Sequence, residues 1–453
     1  MRRTIVSVWL LFGTAAWWIP PASFAQGAGW KESPALADRL TKSRPGFIFR
    51  EADVPPYDLP DPLLLSDGTR VTDADTWRTK RRPELFDFFE RQVYGRTPPL
   101  PKALRHRTFD SDKQALNGTA LRKQVTVFFS DKTSGSAMDI LVYLPVARKG
   151  PVPMFLIINF GGNHTVHPDP AIRLKEQWKW TKEKGAFLQP STEAERGRDA
   201  ASYSVQKILS RGYGLATVYC GDIDPDFDEG FQNGVHPLFY KDGQTAPAPD
   251  EWGTIGAWAW GLSKVMDYFE QDKDIDSKRV AVVGHSRMGK AALWAGAQDL
   301  RFALVISNNS GCGGAALSKR IFGETVGRIN AAFPHWFCAN FKRFNEKENA
   351  LPMDQHELLA LIAPRPLYVA SADEDLWADP LGEFLSAKAV DPVYRLLGVP
   401  GLNLDAMPPL NAPSLDGTVG YHIRRGGHAL TDYDWEQYMN FMDLHVKIKG
   451  AQP

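Results

Sequence analysis

The chain of 453 residues is long enough for a large core, and its composition, 43% hydrophobic and 23% charged, is that of a globular enzyme. Lys and Arg together number 53, as do Asp and Glu, so the formal net charge is zero. This balance argues against a general attraction to nucleic acids or acidic membranes. The 14 tryptophans allow two interpretations: bulky core residues, or rings that line a sugar-binding cleft.

Residues 1–25 have the pattern of a secretory signal peptide. Two arginines precede a mostly apolar run over residues 4–18, and Ser23 and Ala25 supply small residues at the two positions that signal peptidase inspects. The alternative is an uncleaved membrane anchor, but the run is short for a membrane span and two prolines follow it. We therefore expect a secreted or periplasmic protein whose mature form has no membrane segment.

Residues 26–100 are rich in proline and polar residues, and one segment among them, residues 83–93, has the pattern of a helix. We expect residues 26–100 to form an N-terminal extension packed on a catalytic domain of residues 101–453. Near the start of that domain, residues 121–129 and 138–144 alternate apolar and polar side chains, as in an antiparallel strand pair.

Short apolar runs and helical segments alternate over the rest of the chain. The runs expected to be buried parallel strands are residues 154–160, 215–220, 280–283, 302–306 and 367–370. The segments expected to be helices are residues 200–210, 255–269, 290–298, 383–389 and 435–448. This alternation predicts an α/β protein, a three-layer sandwich with helices on both faces of a mostly parallel central sheet.

Three loops are unusually long: residues 161–199, 221–252 and 310–362. Each follows a predicted parallel strand, at the edge of the sheet where open α/β folds build their sites. Loops of this length within a compact domain are usually functional.

The segment around Ser286 is the most informative in the chain. Four apolar residues, 280–283, lead into Gly-His-Ser-Arg, and a helical stretch follows from residue 290. A strand, a sharp turn with serine at its apex and a helix form the nucleophile elbow of the α/β-hydrolase fold. The second glycine, Gly289, stands one place later than in the usual G-x-S-x-G, and the serine by itself could also belong to an ordinary turn.

A serine nucleophile needs a histidine base and an orienting acid, which follow it along the chain in the order serine, acid, histidine. Acidic residues come directly after the predicted strand 367–370, and His428 follows two glycines in a loop before the last helix. His422 falls inside a further predicted strand, residues 420–424, and His445 inside the predicted helix 435–448, so we expect both to be structural. Residues 161 and 162, both glycine, follow the strand 154–160, where such folds donate a second N–H group to the oxyanion; a simple turn is the alternative.

The surroundings of the serine resemble the bacterial glucuronoyl esterases, the 4-O-methyl-glucuronoyl methylesterases of carbohydrate esterase family 15. The resemblance covers roughly residues 80–450. It rests on Gly-His-Ser-Arg-Met-Gly-Lys at 284–290, Ser-Asn-Asn-Ser-Gly at 307–311, Phe-Gly-Glu-Thr at 322–325, Phe-Pro-His-Trp-Phe-Cys at 333–338, Ala-Pro-Arg-Pro at 363–366 and Trp-Ala-Asp-Pro at 377–380. The resemblance implies a serine esterase that cleaves the ester between (4-O-methyl-)D-glucuronic acid of glucuronoxylan and a lignin alcohol. It implies neither a cofactor nor a metal, and we expect a monomer.

Carried over by position, Ser286 is the nucleophile, His428 the base, and Arg287 the group that faces the oxyanion. Arginine has a permanent charge suited to that task.

The acyl group of such a substrate is a polar sugar. The residues that match the family's glucuronate-binding positions are Lys290, Glu324 and Trp377. His335 and Trp336 match a loop segment that lies near the site in that family.

The family places its acid at either of two positions. The fungal position corresponds to Asn309, which cannot carry the charge, and the position used by many bacterial members corresponds to Asp375. We therefore choose Asp375 over Asp373 and Asp379, which we expect to cap the loop.

Two other functions stay open. One is a different carbohydrate esterase on the same fold, of the acetyl xylan esterase type, and the other is an inactive carbohydrate-binding relative.

The chain has three cysteines, Cys220, Cys312 and Cys338. Cys220 ends an apolar run and is expected to be buried, which leaves Cys312 and Cys338 as the better candidate for a disulfide. The absence of a C-x-x-C pattern argues against a structural zinc site.

Overall fold

The computed structural model of the chain describes residues 29–98, 105–130 and 136–446. The predicted signal peptide, the predicted domain boundary at residue 100 and the end of the last predicted helix lie outside these ranges.

A nine-stranded sheet forms the centre of the molecule, and a separate two-stranded sheet lies in the loop after its fourth strand. The strands in chain order are β1 His106–Gln114, β2 Ala120–Phe128, β3 Ala137–Pro145, β4 Val152–Asn159, β5 Gln177–Thr181, β6 Gly185–Gln189, β7 Gly214–Tyr219, β8 Ile275–His285, β9 Leu304–Asn308, β10 Leu367–Ala372 and β11 Val419–Arg424. The central sheet has the order β1-β2-β3-β7-β4-β8-β9-β10-β11. Its first four strands pair antiparallel, and all pairs from β7 to β11 are parallel.

Helices cover both faces of the sheet. The α-helices are α1 Pro34–Ser43, α2 Ala74–Thr76, α3 Arg82–Phe89, α4 Ala115–Gly118, α5 Val205–Ser210, α6 Cys220–Ile223, α7 Thr254–Phe269, α8 Arg287–Gln298, α9 Val326–Ala332, α10 Gln355–Ala360, α11 Pro380–Ala389, α12 Asp391–Leu396 and α13 Asp432–His445. The π-helical segment Trp77–Arg81 joins α2 to α3, and a second one, Glu90–Tyr94, extends α3 at its C-terminal end.

Two hydrophobic clusters, one on each face of the sheet, form the core. One contains the buried side chains of α7 and α8, and the other those of α5 and α13. The strands between them are buried on both faces, as expected of parallel strands between two helical layers. The predicted three-layer α/β-hydrolase architecture is confirmed.

Most predicted elements lie where the sequence places them, but several observed helices were not predicted, among them α1 Pro34–Ser43, α9 Val326–Ala332, α10 Gln355–Ala360 and α12 Asp391–Leu396. The helix predicted at 200–210 begins only at Val205, because Ser204 has a left-handed φ of 42° that interrupts it. Strand β1 and the hairpin β5–β6 were not predicted. The hairpin folds part of the long loop 161–199 into regular structure beside the site.

The start of the described chain packs against the loops after β9 and β10. Phe49 is buried in a small cluster with Phe322 and Leu376, and Ile48 forms a parallel bridge with Phe322. The division into an extension and a catalytic domain stays a prediction.

All three cysteines are buried and free, so the pairing of Cys312 with Cys338 was wrong. Sequence separation carries no information on whether two sulfur atoms meet. No helix within the described ranges is both long and apolar enough to cross a membrane.

Candidate active site

Ser286 lies in a strained turn between β8 and α8. Its φ of 59° and ψ of −130° are unfavourable for a residue with a side chain. A 2.9 Å hydrogen bond from the N–H of Ser286 to the carbonyl of Asn308 stabilises the turn. A Cβ at Gly284 would lie 1.9 Å from the Met288 carbonyl oxygen, so only glycine fits there. Ser286 is the N-cap of α8, yet its hydroxyl makes no capping hydrogen bond.

The unusual position of the second glycine has a packing reason. A Cβ at Gly289 would lie 2.8 Å from the Cβ of Ser310, in the loop after β9. The first turn of α8 therefore needs its glycine at this position to approach that loop closely.

His428 and Asp375 are hydrogen-bonded. Nδ1 of the exposed His428 ring donates to Oδ2 of the buried Asp375 over 2.6 Å. The same oxygen accepts a 2.9 Å hydrogen bond from Nδ2 of Asn309. Asn309, predicted to occupy the fungal acid position, thus hydrogen-bonds the carboxylate that we predict to be the acid.

Asp373 and Asp379 have other partners. Asp373 accepts the N–H of Gly426 over 2.7 Å, and Asp379 caps α11 and pairs with Arg320. Both are thus structural, as expected.

The other two histidines considered as bases are occupied elsewhere. His422 is buried and donates from Nε2 to Asp434 over 2.9 Å, and His445 donates from Nε2 to the Leu415 carbonyl.

His285 supports the His428 ring and was missed by the sequence analysis. The two rings lie 4.5 Å apart, and Nδ1 of His285 donates to Oδ1 of Asn308 over 2.6 Å. Burial, and then the proximity of His428, lower the pKa of His285 to about 4. His285 is therefore neutral near pH 7 and adds no charge beside His428.

The Arg287 side chain is held by an acidic residue from the loop after β7, Asp226. Nη1 of Arg287 donates to Oδ2 of Asp226. Oδ1 of the same carboxylate accepts from Nε2 of His335 over 3.2 Å and from Nε1 of Trp336 over 2.8 Å. Burial opposes the charged form of Asp226, but the His335 hydrogen bond, the Arg287 charge and the Trp336 hydrogen bond together hold its pKa below the ordinary value.

The predicted glucuronate-binding residues lie in the same region. Lys290 is buried, its Nζ donates to the Ser310 carbonyl, and it lies 5.8 Å from the centre of the Trp336 ring. Burial lowers the pKa of Lys290, although the negative charge of Glu324 acts in the opposite direction. Burial likewise raises the pKa of Glu324, although the positive charge of Lys290 acts to lower it. Within the part of the chain that is described, the two groups form no direct ion pair; Lys290 bonds the Ser310 carbonyl, and Glu324 bonds Trp377.

Trp377 is linked to Glu324 and to the N-terminal segment. It hydrogen-bonds the Glu324 side chain, and its carbonyl accepts the Glu324 N–H over 3.1 Å. The guanidinium of Arg44 lies 4.1 Å from the centre of its ring, and the rings of Phe47 and Phe49 lie 5.0 and 6.1 Å away. Residues far away in sequence thus build one wall around this tryptophan.

The glycine turn after β4 is only partly available for an oxyanion. The N–H of Gly162 donates to Oδ1 of Asn159 over 2.7 Å, so this amide is occupied. Of the two amides predicted to donate to the oxyanion, only the N–H of Gly161 remains a candidate.

An open cleft of about 290 Å³ borders Gly161 and Arg287. Trp178 of β5 lines it, together with Phe160 and Phe227. Trp77, Trp258, Trp260, Trp294 and Trp435 are fully buried core residues, whereas Trp178 lines this cleft; that a tryptophan ring contacts a sugar stays a prediction.

Among the described residues no group of three or more His, Cys, Asp or Glu side chains has the arrangement of a metal site.

Comparison with known proteins places the chain in a family. The structure of a glucuronoyl esterase from Solibacter usitatus superposes with a TM-score of 0.84 at 52% identity, covering 87% of this chain and 100% of that one. The chain belongs to the glucuronoyl esterases of carbohydrate esterase family 15. Members of the family are carboxylic ester hydrolases, and so is this protein.

Other relatives agree with this membership. Carbohydrate esterase MZ0003, from an unknown prokaryotic organism, is 49% identical over 98% of this chain and 99% of its own length. The 4-O-methyl-glucuronoyl methylesterase of Phanerochaete carnosa is 29% identical over 81% of this chain and 80% of its own length. A family model described as glucuronyl esterase, fungi, matches residues 240–398.

Another residue of the site was not predicted from the sequence: Asp226, whose carboxylate binds Arg287. It stands in one of the three long loops, within a run of four acids among residues 224–229. Because residue type cannot distinguish these acids, only the fold identifies the one that reaches Arg287.

Proposed function

We propose that this protein hydrolyses the ester that joins the carboxyl group of (4-O-methyl-)D-glucuronic acid on glucuronoxylan to a lignin alcohol. The observation that carries the proposal is the joint presence of two features in a glucuronoyl esterase chain. One is the 2.6 Å hydrogen bond from His428 to Asp375, beside a serine in an elbow. The other is a polar set suited to a sugar acid, made of the buried Lys290 and the half-buried Glu324 and Trp377.

In the proposed acylation, His428 Nε2 removes the hydroxyl proton of Ser286 as Oγ attacks the uronoyl carbonyl carbon. Asp375 keeps the proton of His428 on Nδ1 and stabilises the imidazolium that forms. The tetrahedral oxyanion faces Arg287 and the N-terminus of α8, where positive charge and backbone N–H groups stabilise it. The carbon–oxygen bond to the alcohol then breaks, and His428 returns its proton to the leaving alkoxide.

Deacylation repeats the sequence with water as the nucleophile. His428 takes a proton from water as its oxygen attacks the acyl carbon, and then returns a proton to Oγ as the bond to Ser286 breaks. The products are the free uronic acid and the regenerated enzyme.

The acyl pocket supports a sugar acid rather than an acetyl or fatty acyl group. Lys290 and Glu324 can hydrogen-bond ring hydroxyls, and the face of Trp377 can pack on the pyranose ring. A plain acyl chain would offer neither group a hydrogen bond.

The deciding experiment compares benzyl D-glucuronate with p-nitrophenyl acetate for the wild type and for Ser286→Ala. We expect the wild type to prefer the glucuronate ester and Ser286→Ala to lose its hydrolysis, while Ser210→Ala, at the exposed last residue of α5, matches the wild type. A preference for the acetate by orders of magnitude would establish the acetyl esterase alternative. Absence of turnover together with retained sugar binding would establish the inactive relative, and persistent hydrolysis by Ser286→Ala would exclude this serine as the nucleophile.

We further infer that the protein acts outside the cytoplasm as a monomer. The signal-peptide pattern of residues 1–25 supports export, as does a polymeric substrate that could not enter a cell. Detection of cleavage after Ala25 in exported protein tests the first point, and light scattering tests the second.

A further inference from the structure

Asp226 is the common acceptor for three side chains, one of which, Arg287, directly follows the predicted nucleophile in the chain. Its two oxygens bind Arg287, His335 and Trp336, and the guanidinium of Arg287 lies 4.7 Å from the centre of the Trp336 ring. Nε of Arg287 is buried and has no hydrogen-bond partner in the described residues. Asp226 thus fixes one nitrogen of the guanidinium.

The reaction changes the charge at this place. An ester is neutral, but the uronic acid released from it is an anion whose carboxylate lies where the ester carbonyl was. Two cations, Arg287 and Lys290, lie next to the same Trp336 ring, at 4.7 and 5.8 Å from its centre. Arginine binds carboxylates strongly, so an uncompensated Arg287 would retain the product.

We propose that Asp226 is a positioning residue that holds Arg287 toward the oxyanion and compensates its charge, so that the anionic product binds weakly and is released. This inference rests on the proposed function. The oxyanion needs no extra binding energy to reach Arg287, because it is covalently attached to the nucleophile. The free product has no such attachment, so weakening the net positive charge lowers its affinity selectively.

The experiment measures inhibition by free D-glucuronate, using benzyl D-glucuronate as substrate. Asp226→Asn keeps the shape of the side chain and removes its charge. We expect the inhibition constant for glucuronate to fall about fivefold, the effect of one partly screened charge at short range. A residue that only supports the loop would not tighten product binding when replaced.

Three further variants test whether the effect is carried by charge and by Arg287. Asp226→Glu keeps the charge, so its inhibition constant should stay closer to the wild-type value than that of Asp226→Asn. In Arg287→Ala, glucuronate binding is measured directly by calorimetry, and adding Asp226→Asn should then produce no further tightening. The matched control is Asp272→Asn: Asp272 is a buried carboxylate that binds Lys123 and Tyr268 at the opposite end of β8, so its replacement should not change the constant.

An unchanged or higher inhibition constant in folded Asp226→Asn would overturn the inference, as would tightening that persists without Arg287. If wild-type protein hydrolyses benzyl glucuronate and these results still appear, only the inference fails. If wild-type protein neither hydrolyses the ester nor binds glucuronate, the proposed function fails with it.

Discussion

Asp375 accepts a 2.6 Å hydrogen bond from Nδ1 of His428, although 53 residues separate the two in the chain. The carboxylate is buried and the ring is exposed, so Asp375 orients an imidazole that solvent can reach.

Replacing Asp375 by Asn should lower kcat for benzyl D-glucuronate by about 10³-fold or more, because an amide neither stabilises the imidazolium nor fixes the tautomer. Steady-state kinetics measure the effect. Asn309→Ala should cost much less, since it removes only a neutral donor to the same oxygen. Asp373→Asn serves as the control, and a larger loss in Asn309→Ala than in Asp375→Asn would refute the assignment of the acid.

Lys290→Met should weaken hydrolysis of the glucuronate ester without destabilising the folded protein. The change keeps the side-chain volume, removes a charge-assisted hydrogen bond to the sugar and lowers kcat/KM for the glucuronate ester by about 10- to 100-fold. Activity on p-nitrophenyl acetate should change far less. The melting temperature should not fall, because burial already disfavours the charged form of Lys290. Equal losses on both substrates would mean that Lys290 does not contact the sugar.

Arg44→Ala should weaken glucuronate binding although Arg44 lies far from the nucleophile in sequence. The guanidinium packs on the Trp377 ring at 4.1 Å, and its loss frees a ring that is only half buried. We expect KM for the glucuronate ester to rise about two- to fivefold with kcat little changed. Arg70→Ala, which breaks an exposed pair with Asp61, is the matched control. Identical KM values in the two variants would argue against a role for Arg44 in substrate binding.

Glu383 should make the stability of the protein depend on pH. This buried carboxyl accepts hydrogen bonds from the N–H groups of Ser310 and Gly311 and from the Ser371 hydroxyl, and burial raises its pKa from 4.5 to about 8. The folded state therefore binds more protons than the unfolded state between those two values. Its stabilising contribution is complete below pH 4.5 and is lost as the pH rises through about 8.

The variant Glu383→Gln tests this directly. Between about pH 5 and about pH 8, the wild type should lose up to ~1.4 kcal/mol of unfolding free energy per pH unit from this group, and the variant should lack that component. Chemical denaturation at several pH values measures it. Parallel pH profiles for the two proteins would show that Glu383 is ionised throughout.

Much of the fold followed from local patterns. The parallel strands were predictable because each is a short apolar run buried on both faces, and Thr254–Phe269 and Arg287–Gln298 because their helical patterns are long. The edge strand β1 was missed because its side chains are mostly exposed and carry no apolar alternation. The hairpin β5–β6 was missed because it lies inside a polar loop.

The sequence by itself determined the elbow at Ser286 and the chain order of serine, acid and histidine, since a tight turn and a strand-to-loop transition leave local signals. It also restricted the acid to a few candidates, because the side chain at position 309 cannot ionise. Only the tertiary structure decided that Asp375 meets His428, that Asp226 binds Arg287, and that Arg44 and Phe47 pack on Trp377. These contacts join segments distant in the chain, and their partners are fixed by how strands and loops pack in space, a property that no local pattern of residue types encodes.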